Sequence, residues 1–370
     1  MKIIYFATYY EPYLDFFYSK NSQLATKTYQ EQLQALKNDA FGAFWSYADE
    51  STRQGHEGHL IITNCKPLQM AWAKENNIVF DESNWQFSLP ILQTKQISPD
   101  VFFIGSMFQY YGEFLDEIKK YSKKVFGWIS CPMPENLFQK TYPDLIISSA
   151  PHYVEDFRKK GINSELLTAF FDENVLKMVE YKASICKVLP KEYDFTFLGG
   201  ITQAHKQRIE AIDKLVEKTP IQLFGYGYGH FPDGRNRIIR KLFKHPVQKR
   251  YQGEAWGLEM YNVLYHSKIT FNSHIDMANG AGVNMRMYEA TGMGTLLLTD
   301  GKGKNQLFTD NEVVYYENIN DAIEKANYYL NPKNENERLK IANAGQKRTL
   351  EEYDAKNTVK QMITYFEKYN

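Results

Sequence analysis

The sequence predicts an α/β protein, and two observations carry that expectation. Short apolar runs rich in β-branched and aromatic residues recur along the chain, and helix-compatible stretches separate them, which is the pattern of parallel sheets covered by helices. The chain has 370 residues, more than one hydrophobic core usually supports, so two domains of ordinary size are expected.

In the first half, strands are expected at 2–7, 59–63, 101–104, 124–128 and 145–148. Parallel sheets bind ligands beyond the carboxyl ends of their strands, so the loops carrying Tyr9, Glu11, Asn64, Ser106 and Ser130 are expected to face a cleft. The stretch DLIISSAPHYVEDFRKKGINSELLTAFFD reads as strand, helix and strand, with Gly161 ending the helix. A charged, helix-compatible run closed by Pro190 follows, and DFTFLGG then opens a new strand. The hinge is placed near Lys187, giving domains at 1–186 and 187–350. Strands in the second half are expected at 195–198, 221–224, 269–272 and 295–299, with a helix at about 204–217, so a second Rossmann-like sheet is predicted. Residues 334–366 read as helix broken near 349–354, and the last segment, 351–370, is expected to pack back on the N-terminal domain.

Charge and cysteine content exclude several classes. Lysines plus arginines number 44, and so do aspartates plus glutamates, so no net field recruits a polyanion and nucleic acid is not an expected partner. Cys65, Cys131 and Cys186 are odd in number and far apart, which fits a reducing compartment rather than a disulfide framework or a zinc site. The N-terminus lacks the long apolar region of a signal peptide. No apolar run approaches the roughly 20 residues of a bilayer span. A cytoplasmic location is expected, with peripheral membrane contact left open. Aromatics make up 15% of the residues, 27 of them tyrosine, which suits a cleft that stacks sugars or bases and equally a tyrosine-rich core.

The chemistry-bearing residues concentrate in the second half. Gly199 and Gly200 follow one strand, and FGYGYG, with Gly225 and Tyr226, follows the next. Glycines let backbone N–H groups approach phosphate oxygens, and a helix opening beyond Gly200 would point its positive end the same way, while ordinary sheet turns are the bland alternative. The strand ITFNSH leads through a glycine-bearing loop to Asn284, Met285, Arg286 and Glu289, expected in the first turns of a helix that opens near Asn284. Arginine can pair with a diphosphate bidentately, and a carboxylate at 289 can hold ribose hydroxyls. The competing reading is a simple i,i+3 ion pair between the two, worth about 0.2 to 0.5 kcal/mol.

The blocks YQGEAWGLEMY (251–261), SKITFNSH (267–274) and NMRMYEATGMGTLLLTD (284–300) resemble the CgeB-like, spore-maturation-type glycosyltransferases, and through them the wider GT-B glycosyltransferases. FLGGITQAHKQRI upstream and LFTDNEVVYYENINDAIEKANYYL downstream extend the resemblance over nearly all of the second half. It implies two Rossmann-like domains facing a central cleft, with a nucleoside-diphosphate sugar held by the C-terminal one. It implies Glu289 at the donor ribose and Arg286 and Asn284 near the phosphates. It sets Gly199 and Gly200 at the cleft and Tyr226 beside the base, with His205 and Arg208 on the following helix. Where many retaining members carry a second glutamate, this chain has Ala281.

His274 and Asp276 sit too close, without a third partner, to make a metal site. The resemblance implies metal-independent chemistry without a cofactor, and His274 is expected to line the donor pocket or to be a buried structural histidine. His56, Glu57 and His59 read as the loop entering a strand, and Lys302 and Lys304 as solvated charges. Glu11, directly after the first strand, is the candidate general base for an inverting reaction, against the alternative of a solvated carboxylate. The function expected is hexosyl or related transfer to a glycan, protein or other acceptor hydroxyl, such as a bacterial surface glycan, with the acceptor held mainly by the N-terminal half. The alternatives are a catalytically inactive binding or structural protein of the same fold, and a nucleotide-sugar epimerase.

Overall fold

In the computed structural model, the residues described are 1–105, 107–131, 141–186, 192–201, 206–228, 245–274, 284–301 and 307–369. The chain divides into two compact units, Met1–Thr168 with Ala355–Asn370, and Ala169–Asp354.

The first unit runs β1 (Lys2–Ala7), α1 (Glu11–Lys20), α2 (Tyr29–Asn38), α3 (Phe44–Arg53), β2 (Glu57–Ile62), α4 (Lys66–Glu75), α5 (Trp85–Ile97), β3 (Val101–Ile104), α6 (Glu113–Ile118), β4 (Lys124–Trp128), β5 (Leu145–Ser148), α7 (Pro151–Lys159) and β6 (Ser164–Leu166). The six strands form one parallel sheet in the order β2-β1-β3-β4-β5-β6. Helices cover both faces, so the central strands are apolar throughout: Ile3 to Phe6 and Val101 to Ile104 are fully buried.

The second unit runs α8 (Glu173–Cys186), β7 (Tyr193–Leu198), α9 (Lys206–Lys218), β8 (Gln222–Phe224), α10 (Pro246–Arg250), β9 (Tyr251–Gly253), α11 (Gly257–Tyr265), β10 (Ser267–Phe271), α12 (Met285–Gly292), β11 (Leu296–Thr299), β12 (Val314–Tyr315), α13 (Ile319–Leu330) and α14 (Glu335–Glu352). Its six strands are also parallel, in the order β12-β11-β10-β7-β8-β9. Phe195, Phe197, Leu223, Ile269, Phe271, Leu296 and Leu298 build the core from alternating positions of these strands.

Helix α8, which the sequence reading gave to the N-terminal half, packs on α11 and is part of the second unit. The expected hinge at Lys187 lies outside the described residues. The helix break expected at 349–354 falls at Tyr353 and Asp354, where the chain is drawn beside Phe171: the Phe171 amide donates to the Tyr353 carbonyl at 2.8 Å, and Phe171 and Asp354 form a parallel bridge.

The final helix, α15 (Ala355–Tyr369), belongs to the first unit. Phe366 is fully buried, 5.5 Å from the Phe103 ring and 5.1 Å from that of Phe126. Lys368 and Tyr369 donate to Glu165 Oε1 at 2.7 and 2.8 Å, while Arg158 holds Oε2 at 2.9 Å. Burial pushes the Glu165 carboxyl up, but these donors outweigh it and hold it below the usual range. Phe366→Ala is expected to lower the stability of this unit by about 3 to 5 kcal/mol, the cost of emptying a packed aromatic site, read from urea unfolding followed by near-ultraviolet circular dichroism.

Candidate active site

The strand order of the second sheet fixes where a ligand can enter. β7, β8 and β9 step outward in one direction and β10, β11 and β12 in the other, so the helices after β7 and β10 leave on opposite faces and open a crevice beyond the carboxyl ends of that pair. Two short segments line the edge: Leu198 to Gly200 after β7, and Asn272 to His274 after β10.

The glycine turns are locked together by backbone bonds. The Gly199 amide donates to the Phe224 carbonyl, Ile201 to Tyr226 and Gly225 to Gly253, at 2.9, 2.9 and 3.0 Å. Gly225 has φ +127°, and a Cβ there would lie 2.3 Å from the Gly199 oxygen. Three of the turn amides are therefore spent within the sheet, and the glycines allow two backbones to touch; residues 202–205, where the expected helix start lies, are outside the described residues. Tyr226 packs on the Gly200 Cα and stacks on Trp256, with ring centroids 5.3 Å apart, so one face of the ring is already taken.

Two guanidinium groups converge on the β7 turn. Arg286, from the first turn of α12, donates to the Leu198 carbonyl at 3.2 Å. Arg208, from α9, donates to Gly200 at 3.4 Å and to Ser273 at 2.9 Å, bridging the two segments. Burial pushes the Arg208 pKa down, while Tyr228, Tyr226, Asp300 and Tyr316 oppose that shift. Arg286 Nη1 lies 2.9 Å from Glu289 Oε2, so the i,i+3 ion pair forms, yet the contact is too poorly aligned for a hydrogen bond. The buried Tyr261 hydroxyl is held protonated first by desolvation and then by Glu289.

Asn284 occupies the N-cap position of α12 without a side-chain cap bond, and its Nδ2 donates to Asn272 Oδ1 at 2.9 Å. Asn272 in turn donates to Thr299 Oγ1 at 2.9 Å, and its carbonyl accepts from Tyr316 at 3.0 Å. The His274 ring pairs with Asp300 at 2.6 Å, and its backbone N–H donates to both oxygens of that carboxylate at 3.0 and 3.2 Å. Arg208 Nε, Arg286 Nη1, Asn284 Oδ1 and His274 Nε2 are all buried and find no hydrogen-bond partner among the described residues. Buried polar atoms are nearly always paired, so four orphans around two adjacent strand ends mark a place where a polar ligand belongs.

Met285 opens α12 and is half-buried. His205, Asp276, Ala281, Lys302 and Lys304 lie outside the described residues, as does Ser106. Asp300 and Asn272 were missed from sequence, although parallel neighbours bring their last residues side by side: the terminal Asp of TLLLTD had to lie beside the end of FNSH.

In the first unit, Glu11 is the first residue of α1 rather than part of a free loop. Asn64 holds the approach to it. The Tyr9 amide donates to Asn64 Oδ1 at 2.9 Å, and Asn64 Nδ2 donates to the Tyr9 carbonyl at 2.7 Å and to Glu11 Oε1 at 2.8 Å. Ser130 is tied to Ser148 and Ser149. His59 pairs with Glu57, and His56 with the N-terminal amine.

The whole chain aligns with the crystal structure of the Anabaena protein HepE in complex with UDP-glucose, with a TM-score of 0.62, 10% identity and full coverage of both chains. A glycosyltransferase from Rickettsia africae gives 0.58 at 11% identity, covering 100% of this chain and 98% of that one. The fold is GT-B. Sucrose-phosphate synthase from Thermosynechococcus elongatus is a further GT-B neighbour, at TM-score 0.51 and 11% identity over 84% of this chain and 82% of its own. Residues 205–364 match a family model described as glycosyl transferase-like, a span that takes in α9 through α14 and every orphaned atom named above. No curated protein sequence matches the chain. Gly225→Ala is expected to destabilise this GT-B unit by about 2 kcal/mol or more, since it combines a strained φ with a backbone clash, and thermal unfolding measures the loss.

Proposed function

We propose that the protein is a glycosyltransferase whose second unit binds a nucleoside-diphosphate sugar at the β7/β10 crevice. The observation that carries this reading is the pair of half-buried guanidinium groups at the β7 turn, of which Arg286 is shared between Leu198 and Glu289 and Arg208 keeps a buried Nε–H without a partner among the described residues. Arg208 makes no ion pair among the described residues, so its charge is available to an anion. A diphosphate is an anion of suitable extent, and guanidinium groups bind phosphate oxygens strongly. UDP is the first nucleotide to test, because HepE is described in complex with UDP-glucose.

Each residue then has a defined task. Arg208 and Arg286 neutralise the diphosphate as the anomeric carbon–oxygen bond breaks and its electron pair passes to the phosphate oxygen. Asn284 offers Oδ1 as an acceptor, Glu289 exchanges its contact with Arg286 for the ribose hydroxyls, and Tyr226 with Trp256 supports the base. Gly199, Gly200 and Gly225 keep the two turns close enough to present these groups, and Met285 lines the approach. The acceptor oxygen bonds to the anomeric carbon, and Glu11, oriented by Asn64, takes its proton in an inverting reaction. Metal is not required in this scheme, because the arginines supply the positive charge. The CgeB-like resemblance favours a hexose donor, a bacterial surface glycan or protein acceptor, and a cytoplasmic site of action. No described helix is long and apolar enough to cross a membrane.

Titration calorimetry with UDP-glucose tests the reading. The wild type is expected to bind, and Arg208→Met to bind roughly 10- to 100-fold more weakly, the loss of a charge-assisted contact worth about 1.5 to 3 kcal/mol. Glu289→Ala is expected to weaken binding while leaving the fold intact. Equal affinity in the wild type and Arg208→Met would place the nucleotide elsewhere.

A further inference from the structure

His274 is held more tightly than a pocket-lining residue requires. Its backbone N–H and its Nδ1 both bond to Asp300, the residue that closes β11. An ionised carboxylate only accepts hydrogen bonds, so Nδ1 carries its proton in every charge state of the ring. The one variable proton is on Nε2. His274 is 6% exposed, and Nε2 has no partner among the described residues.

We propose that His274 binds the donor diphosphate as an imidazolium, taking up a proton on Nε2 as the nucleotide sugar binds. The inference rests on the donor site assigned above and adds a change of protonation to it. A neutral ring with Nδ1–H turns the Nε2 lone pair outward, which repels a phosphate oxygen, whereas the protonated ring offers N–H. The charged group bonded to the ring is Asp300, and the nearest cation named is Arg208, which donates to the carbonyl of the neighbouring Ser273. Tyr316 bonds the Asn272 carbonyl and feels both Asp300 and Arg208. Asp276, Lys302 and Lys304 adjoin in sequence but lie outside the described residues. A bound diphosphate brings negative charge to Nε2 and favours the protonated ring, so binding and protonation are linked. Asp300 is a positioning residue here, fixing the tautomer and the ring angle.

The test is calorimetric titration with UDP-glucose between about pH 6 and 8, where imidazole titrates, in buffers of different ionisation enthalpy. The diphosphate of UDP-glucose is doubly esterified and has no group that titrates near neutrality, so any proton taken up enters the protein. The wild type is expected to take up a fraction of a proton that passes through a maximum between the titration points of the free and the bound ring and falls away on either side. His274→Gln is expected to bind more weakly and take up none, and Asp300→Asn, which keeps the histidine, to take up less than the wild type. Binding by the wild type without uptake overturns the inference and leaves the donor site standing. Uptake that persists in His274→Gln overturns it equally. Absence of binding by UDP-, TDP- and GDP-sugars alike overturns the donor site, and the inference with it. If His274→Gln does not fold, Asp300→Asn decides: uptake equal to that of the wild type overturns the inference.

Discussion

The arrangement of the candidate site depends on the carbonyl groups at the end of β7. Leu198 and Gly200 each give an oxygen to a different arginine, anchoring Arg286 and Arg208. The Gly199 and Ile201 amides bond sideways to Phe224 and Tyr226, in the segment that ends β8. A side chain at position 225 would push the turns apart and disperse the cations. The glycines therefore act on the site at one remove, by setting backbone spacing.

Such a cluster is held at a cost. A buried donor or acceptor left unpaired costs about 1 to 3 kcal/mol, and several lie close together here. The surrounding fold carries that cost through a core of fully buried strand residues and through carbonyl contacts that satisfy part of each guanidinium. Preorganised, underused donors are what charge stabilisation requires, because they need no rearrangement when the ligand arrives.

Much of the fold was legible in the sequence because parallel strands buried on both faces announce themselves as apolar runs. Two of the short strands, Tyr251–Gly253 and Val314–Tyr315, did not, since three or two residues carry no period. The site was legible in outline for a related reason: residues that follow apolar runs fall at strand ends. Arg286, Glu289, Asn284 and His274 could be named from that rule together with the family resemblance. What could not be read was the pairing. Whether Arg286 faces Glu289, the turn or both depends on side-chain direction across three elements, and the i,i+3 spacing fits each case. The fate of the turn amides was equally hidden, because glycine patterns state where backbones come close but not which atoms bond.

The two units solve one local problem in similar ways. In each, a polar residue at the end of a strand neighbouring the key one reaches across to pin the segment that bears the candidate reactive group. Asn64 after β2 takes both the amide and the carbonyl of Tyr9 and then Glu11. Asp300 after β11 takes both the amide and the ring of His274. Parallel register makes this economical, since neighbouring strands end side by side and a short side chain spans the gap. A loop tied through its own backbone cannot move its side chain away without breaking two bonds at once, so orientation is enforced by the sheet and not by local packing. That constraint separates these two positions from His59 and Glu57, whose pairing leaves both backbones unrestrained by it and implies no comparable role.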